Sequence, residues 1–407
     1  MIDIVFYFQV HQPYRISKWK PGDRIHKLAY FDDPLNKLVL QRVAERCYLP
    51  MNRVLLDAID RTDGQFRCAF SLSGTVIKQL RDWAPAALDS FVELAESDCV
   101  EFLCETSQHS LAALEHPDEF RAQVELQRAT VQDLFGSKPT TFRNTELILD
   151  NRICGLVESM GFSTMLGEGF ERVLGWRSPQ VPYTPKGCKA LKLLLRSYSL
   201  SDDIAFRFSN SKWPQYPLFA DTFASWLHGL PPPAQFVGLF MDYETFGEHQ
   251  GAQTGIFDFM RRLPDEVLTN PGFRFRTPAQ VAAELPSVGD LDIAQPLSWA
   301  DVERNLSAWL GNPMQTQAHR ELYAMRPMLM EVAERRPDLL EAWRRMTTSD
   351  HVYYVATKGH SDAEVHDYFS PHDSPHAAFV SLMTAVDDLR LQVQRARGDV
   401  RSTELGR

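Results

Sequence analysis

Short apolar runs alternate with helical patterns over roughly the first 290 residues, and this alternation constrains the fold more than any other feature. The apolar runs are residues 2–10, 66–72, 100–104, 140–148, 162–166, 191–195 and 236–241. The helical patterns between them include residues 35–60, 86–96, 117–135 and 151–160. Strands that alternate with helices are typical of a parallel α/β sheet, and seven such units favour a barrel over an open sheet.

The pattern changes after residue 297, where helical periodicity replaces the strands. Residues 301–310, 315–334, 338–346 and 376–397 carry apolar side chains at helical spacing. A proline-bounded stretch at residues 278–286 precedes this change. We therefore predict a barrel domain over residues 1–290 and a C-terminal α-helical domain over residues 291–407.

Composition and charge exclude several classes of partner. The chain of 407 residues has 43 basic and 53 acidic side chains, a net charge of −10, so it lacks the basic surface that nucleic acids or anionic membranes select. No apolar run approaches the ~20 residues that span a bilayer, and residues 1–8 are typical of a buried strand, not of a signal peptide. The scattered cysteines favour reduced thiols and a cytoplasmic location. They are Cys47, Cys68, Cys99, Cys104, Cys154 and Cys188.

Polar side chains follow several of the predicted strands at the point where each strand ends. In a parallel barrel the carboxyl ends of all strands open on one face, where sites are built. His, Gln, Glu and Asp from four strands therefore form one candidate constellation. Its members are His11 and Gln12 after the first strand, His109 after the third, Glu146 after the fourth, and Asp242, Glu244 and His249 after the seventh.

Two of these carboxylates, Glu146 and Asp242, lie beside apolar runs, where a charge costs free energy unless it is paired or functional. One interpretation is a structural ion pair, for instance between Glu146 and Arg143. The other is a pair of carboxyl groups for acid-base chemistry on a glycosidic bond, which is favoured because both occupy the same face.

The histidines allow a metal site as an alternative. His11 could bind zinc together with His109 or His249, because zinc sites combine histidine with carboxylates. The chain has no HExxH motif, no His-x-His pair and no CxxC motif. We therefore favour a neutral histidine that hydrogen-bonds a polar ligand, and we predict neither a metal nor a cofactor.

The chain resembles glycoside hydrolase family 57, the α-amylase-like family, and the resemblance covers nearly its whole length. It rests on five segments in the family's order. These are residues 10–13 (VHQP), 142–147 (FRNTEL), 241–247 (MDYETFG), 308–315 (AWLGNPMQ) and 349–354 (SDHVYY).

The resemblance implies a distorted (β/α)7 barrel followed by a helical bundle. It also implies that Glu146 is the nucleophile and Asp242 the general acid/base of a retaining mechanism, with carboxyl groups ~5–5.5 Å apart. Asp242 must then hold a proton before the first step, and we expect an apolar wall and the neighbouring Glu244 to favour its protonated form. The implied substrate-binding residues are His11, Gln12, His109, Glu244, His249, Trp309, Asp350 and Tyr353.

Three departures from the family pattern bear on the activity. Gln9 stands where many members carry histidine, and His109 takes the place of a glutamate, which is similar to the α-amylase branch. An aromatic pair that this branch carries near Ser107 and Gln108 is missing, which affects the expected substrate affinity or chain-length preference. The function predicted is hydrolysis of α-1,4-glucosidic bonds in an α-glucan or a maltooligosaccharide. A 4-α-glucanotransferase, a non-catalytic glucan-binding protein and a metal-dependent deacetylase or mannosidase-like barrel stay open as alternatives. The oligomeric state is not predicted.

Overall fold

A computed structural model describes residues 1–358 and 370–398. All seven predicted strands are present, together with three short ones that the apolar pattern does not predict. The strands are β1 Ile2–Val10, β2 Cys68–Leu72, β3 Val100–Phe102, β4 Thr141–Arg143, β5 Thr164–Glu168, β6 Thr184–Pro185, β7 Lys192–Arg196, β8 Phe236–Asp242, β9 Phe273–Phe275 and β10 Asp290–Leu291.

The seven predicted strands lie in one parallel sheet in the order β3-β2-β1-β8-β7-β5-β4, and β9 pairs with β1 beside this order. A parallel bridge between Cys104 and Phe142 joins the two ends of this order. In that bridge the Cys104 amide donates to the Thr141 carbonyl at 3.0 Å, and the Arg143 amide donates to the Cys104 carbonyl at 2.9 Å. The predicted (β/α)7 barrel is therefore confirmed.

Side-chain alternation along β1 separates the barrel interior from the outer layer. Val5 and Tyr7 belong to the buried cluster inside the barrel, whereas Phe8 on the other face packs against Phe70 and Phe246. Because successive side chains point to opposite faces, Gln9 lies on the same inward face as Tyr7. The interior is thus apolar along the strands and becomes polar at their carboxyl ends.

The helices that belong wholly or mainly to the barrel surround this sheet. They are α1 Asp33–Val43, α2 Leu49–Arg61, α3 Gly74–Trp83, α4 Pro85–Glu96, α6 Pro117–Phe135, α7 Asn151–Ser159, α8 Glu171–Leu174, α9 Tyr198–Ala205, α10 Ala220–His228, α11 Ile256–Leu268 and α12 Pro278–Glu284. Side chains cap the N-termini of several of these helices. Ser73 caps α3, Asp150 caps α7, and Thr277 forms a capping box with Gln280 at α12.

The remaining helices are α5 Ala112–Glu115, α13 Ser307–Leu310, α14 Pro313–Ala324, α15 Arg326–Val332, α16 Pro337–Met346, α17 Ser349–Tyr353 and α18 Pro375–Arg397. Helix α18 packs against α14, α15 and α16. The predicted helix over 301–310 is much shorter than expected. Asp301 and Arg304 adopt left-handed φ values of 54° and 49°, which a right-handed helix cannot contain.

The chain forms two compact units that are discontinuous in sequence. The first contains residues 1–12, 38–107 and 121–299, and the second contains residues 13–37, 108–120 and 300–407. The division into domains at residue 290 stays a prediction. Within the part of the chain that the structure describes, no helix combines the length and apolar character needed to cross a membrane.

Candidate active site

Glu146 occupies a left-handed turn directly after β4. Its φ and ψ are 57° and 26° within the 3-10 turn Thr145–Leu147, and Leu147 also has a positive φ of 51°. Two successive non-glycine residues in this region carry backbone strain, which persists only where the surroundings enforce it. Here the Asn144 side-chain amide donates to the Ile148 carbonyl at 2.7 Å across the turn. The turn thus holds the half-buried Glu146 at the carboxyl end of the barrel.

Trp299 forms two hydrogen bonds with Glu146. Its indole Nε1 donates to Glu146 Oε2 at 2.6 Å, and its backbone amide donates to the Glu146 carbonyl at 3.1 Å. The ion pair between Glu146 and Arg143, one of the two interpretations of the sequence, does not form. The Arg143 guanidinium instead lies over the Trp299 ring, with Cζ 4.7 Å from the ring centroid.

A hydrogen-bonded network fills the interior below the carboxyl ends of the strands. The Tyr7 hydroxyl donates to Gln9 Oε1 at 2.7 Å and also contacts the Ser71 hydroxyl, which donates to the same Gln9 oxygen. Gln9 Nε2 donates to Glu105 Oε1 at 2.9 Å. Burial raises the pKa of Tyr7 strongly, against the opposing charge of Arg143. The phenol is therefore neutral, and the network fixes the side chains of Gln9 and Glu105.

Asp242 is the last residue of β8 and pairs in register with Gln9 on β1. Two strands, β5 and β7, separate β8 from β4 on one side, and β1, β2 and β3 separate them on the other. In a barrel of seven strands this order sets Asp242 and Glu146 on opposite sides of the carboxyl end. This is the arrangement that two carboxyl groups acting on one bond require.

Glu244 does not share a strand with Asp242, because β8 ends at Asp242 and Glu244 lies in the 3-10 turn Tyr243–Thr245. Strand alternation therefore does not orient the two carboxyls relative to each other. Burial and then the negative charge of Asp242 raise the pKa of Glu244 from its ordinary 4.5 to about 8. At neutral pH Glu244 is thus mostly protonated.

A π-helix, Ala44–Tyr48, between α1 and α2 supplies the main partner of Glu244. The Tyr48 hydroxyl donates to Glu244 Oε1 at 2.5 Å, and Gln12 Nε2 approaches the same oxygen at 3.4 Å. The Tyr48 ring stacks on Tyr243 with a centroid distance of 6.2 Å. Because a π-helix inserts an extra residue per turn, it redirects the side chains that follow, and such insertions occur frequently at functional sites.

The two histidines predicted in the first unit lie on different loops. His11 Nδ1 hydrogen-bonds the Ser73 hydroxyl at 2.7 Å, with the Thr75 hydroxyl at 3.3 Å, so its ring is oriented by the start of α3. The His249 amide donates to the Glu244 carbonyl at 2.9 Å. Among residues 1–358 and 370–398, no group of three or more His, Cys, Asp or Glu side chains is arranged to hold a metal ion.

The other four predicted residues belong to the second unit. His109 is buried with a left-handed φ of 50°, and its carbonyl accepts from the Ser349 amide at 3.0 Å. Trp309 and Tyr353 are both buried and form one aromatic pair, with centroids 6.1 Å apart. Asp350 is half-buried, and its charge adds to burial in raising the pKa of Tyr354.

Sequence reasoning omitted four residues from the site: Gln9, Glu105, Tyr48 and Trp299. Gln9 and Glu105 also follow apolar runs, so the pattern that identified His11 and Asp242 signals them as well. Tyr48 lies inside a helical pattern and Trp299 lies 153 positions from its partner Glu146. No local pattern distinguishes these two from ordinary buried aromatic residues.

The comparisons with known proteins agree on one family. A family profile described as "Glycosyl hydrolase family 57" matches residues 5–294. A curated relative from Methanocaldococcus jannaschii, named "Putative alpha-amylase", is 39% identical over 403 residues, which are 96% of this chain and 85% of the relative.

Solved structures show the same fold at low sequence identity. A branching enzyme of this family from Thermococcus kodakaraensis superposes with a TM-score of 0.68 at 14% identity, covering 100% of this chain and 92% of that one. A 4-alpha-glucanotransferase from Thermococcus litoralis gives a TM-score of 0.66 at 15% identity and covers 97% of this chain. This chain spans 60% of the length of that glucanotransferase.

Proposed function

The chain belongs to glycosyl hydrolase family 57, and on that basis we propose that it hydrolyses α-1,4-glucosidic bonds of an α-glucan with net retention. One observation carries the proposal. Glu146 lies in the turn after β4 and Asp242 is the last residue of β8, and these two strands lie on opposite sides of the barrel. The curated relative named as an α-amylase supports hydrolysis over transfer to a second sugar.

The first step assigns each carboxyl a separate role. Glu146 attacks the anomeric carbon through one carboxylate oxygen and forms a glycosyl ester. The glycosidic C–O bond breaks as Asp242 transfers its proton to the leaving oxygen, so that the shortened glucan departs as an alcohol.

The second step reverses the roles of acid and base. Asp242, now without its proton, removes a proton from water, the resulting oxygen attacks the anomeric carbon, and Glu146 leaves as a carboxylate. At neutral pH the proton of this pair of carboxyls lies mostly on Glu244, whose pKa is about 8, and Asp242 must take it up before the first step.

Glucan binding in the first unit is assigned to His11, Gln12, Glu244 and His249. The Nδ1 of His11 hydrogen-bonds the Ser73 hydroxyl, which fixes the orientation of the imidazole ring toward the carboxyl end of β1. Protonated Glu244 has a hydroxyl to donate, and its Oε1 is already occupied by Tyr48. The contributions of His109, Trp309, Asp350 and Tyr353 to glucan binding stay predictions from the sequence.

We also assign the protein to the cytoplasm. All six cysteines are free thiols, and all except Cys188 are buried. Reduced thiols are typical of a reducing compartment.

The proposed nucleophile is tested by Glu146→Gln, which keeps the shape of the side chain and removes its charge. Turnover of maltooligosaccharides should fall by several orders of magnitude without loss of fold, as judged by circular dichroism and the melting temperature. Glu93→Gln makes the same chemical change on the exposed face of α4 and should leave turnover unchanged. A Glu146→Gln protein with near wild-type turnover would show that the nucleophile is wrongly assigned.

Product analysis tests retention and hydrolysis together. Fresh product from maltoheptaose, observed by NMR before mutarotation, should be the α-anomer. The β-anomer would indicate inversion and a water between carboxylate and sugar. Products longer than the substrate would instead identify the enzyme as a glucanotransferase.

A further inference from the structure

We propose that Trp299 is a positioning residue for Glu146: its indole N–H holds Oε2 of the carboxylate and so orients the side chain for attack on the anomeric carbon. This inference rests on the proposed function, in which Glu146 is the nucleophile. Trp299 lies outside every motif by which the chain resembles its family, and its role follows from geometry alone.

Two hydrogen bonds join the same pair of residues. The side-chain bond from Nε1 to Oε2 measures 2.6 Å, and the backbone bond from the Trp299 amide to the Glu146 carbonyl measures 3.1 Å. An antiparallel bridge between Leu149 and Leu297 adds two more backbone bonds, of 3.1 and 2.9 Å. The segment that carries Trp299 is therefore fixed against the turn that carries Glu146, and the indole has little freedom to move away.

Arg143 adds a positive charge to the ring that carries the donor. Its side chain is fully buried, and none of its three guanidinium nitrogens has a hydrogen-bond partner within the described residues. Its Cζ lies 4.7 Å from the Trp299 centroid, a cation–π distance. Arg143 thus acts here through charge and stacking and not through an ion pair.

Arg196 fixes the same ring from a rigid position. Its Cζ lies 5.8 Å from the Trp299 centroid. Its own nitrogens are engaged by Glu168 at 3.2 Å, by Asp202 at 2.5 Å and by the Phe240 carbonyl at 2.7 Å. The indole plane is therefore held by side chains that cannot easily rearrange.

This arrangement affects both the direction of attack and the charge of the nucleophile. A carboxylate held by the indole N–H keeps one orientation, which lowers the entropic cost of reaching the attack geometry. A hydrogen bond to the charged form, together with a nearby cation, stabilises the ionised carboxylate over the protonated one. Activity should therefore persist to lower pH than it would without Trp299 and Arg143.

The test is Trp299→Phe, which keeps an aromatic ring for Arg143 to stack on and removes the N–H. We expect kcat/KM on an aryl maltooligosaccharide to fall by about 10- to 100-fold, the range for a hydrogen bond to a charged group. We also expect the acidic limb of the pH profile to move to higher pH. Arg143→Met should move the limb in the same direction, and Arg143→Lys, which restores the charge, should return it toward the wild-type position.

Trp343→Phe is the matched control. Trp343 is also buried and donates its indole N–H to the Leu322 carbonyl at 2.8 Å, but it lies in the second unit. Its substitution should lower the melting temperature and leave the acidic limb in place. If Trp299→Phe does not fold, the proposal is tested with Arg143→Met and Arg143→Lys, because both variants retain Trp299.

The outcomes separate this inference from the proposed function. An inactive Glu146→Gln combined with an acidic limb that does not move in Trp299→Phe or Arg143→Met would overturn the positioning role alone. A uniform loss of rate at every pH in these variants would also overturn it, since that indicates a structural effect. An active Glu146→Gln, or a wild-type protein without activity on any α-glucan, would overturn both.

Discussion

Glu244 illustrates how burial changes the chemistry of a single side chain. Its carboxyl is almost fully buried, lies close to the charge of Asp242, and has a pKa of about 8. The Tyr48 hydroxyl opposes this shift, because it donates to the carboxyl oxygen and stabilises the charged form. The neighbour that we expected to supply a negative charge to Asp242 is therefore itself mostly neutral at pH 7.

This raised pKa predicts how stability depends on pH. Below pH 4.5 the carboxyl is protonated in both the folded and the unfolded chain. Between pH 4.5 and about 8 the unfolded chain releases the proton while the folded protein keeps it, so the free energy of unfolding falls as the pH rises. Glu244→Gln, a neutral replacement that still accepts from Tyr48, should lack this component.

The prediction is measured by urea denaturation of both proteins between pH 4 and pH 9. The two should be similarly stable at pH 4, and Glu244→Gln should be more stable than the wild type by up to a few kcal/mol above pH 8. A difference in stability that is constant across this range would contradict the raised pKa of Glu244.

Among the elements, the π-helix Ala44–Tyr48 and the loop after β8 depend on each other. Cys47 Sγ contacts the Tyr243 carbonyl at 3.0 Å, and Arg42 pairs with the buried Glu248 at 2.8 Å. Gly247, in the same loop, has a left-handed φ of 105°. A Cβ at this position would stand 2.0 Å from the Arg46 carbonyl oxygen, a backbone atom that cannot turn aside.

Gly247→Ala should therefore displace the loop that carries Glu244 and His249. We expect a loss of more than about 2 kcal/mol in the free energy of unfolding. The clash of the new Cβ with the backbone and the strain of an alanine at a left-handed φ both contribute to this loss. The loss of turnover should exceed what the unfolded fraction explains. Gly155→Ala is the control, because Gly155 lies within α7 and a Cβ there meets no atom within 4 Å. Equal effects of the two substitutions would show that the close approach at Gly247 does not matter.

At the scale of the whole molecule, the metal-dependent alternative requires a cluster of side chains that can bind a metal ion. The described residues contain no such cluster. The proposed mechanism uses only carboxyl groups and water. We predict that exhaustive dialysis against a chelator leaves both turnover and melting temperature unchanged. Zinc bound in a 1:1 ratio, lost together with activity in a His11→Ala variant, would favour the deacetylase or mannosidase-like alternative.

Much of the architecture follows from local sequence patterns. The seven strands could be predicted because an apolar run of a few residues between helical patterns is a local signal, and the structure confirms them. The strands β1 and β8 are the clearest examples. Glu146 and Asp242 could be identified for a related reason: a charge beside a buried strand is unusual wherever the chain folds. Their roles in the reaction stay proposals.

Other features depend on residues that are distant in sequence, and no local pattern contains them. The bond from Tyr48 to Glu244 spans 196 positions, and the bond from Trp299 to Glu146 spans 153. The protonation of Glu244 depends on how completely the surrounding side chains exclude water and on how near Asp242 lies. Desolvation and Coulomb energy are functions of distance in space, so these properties are set only when the barrel closes.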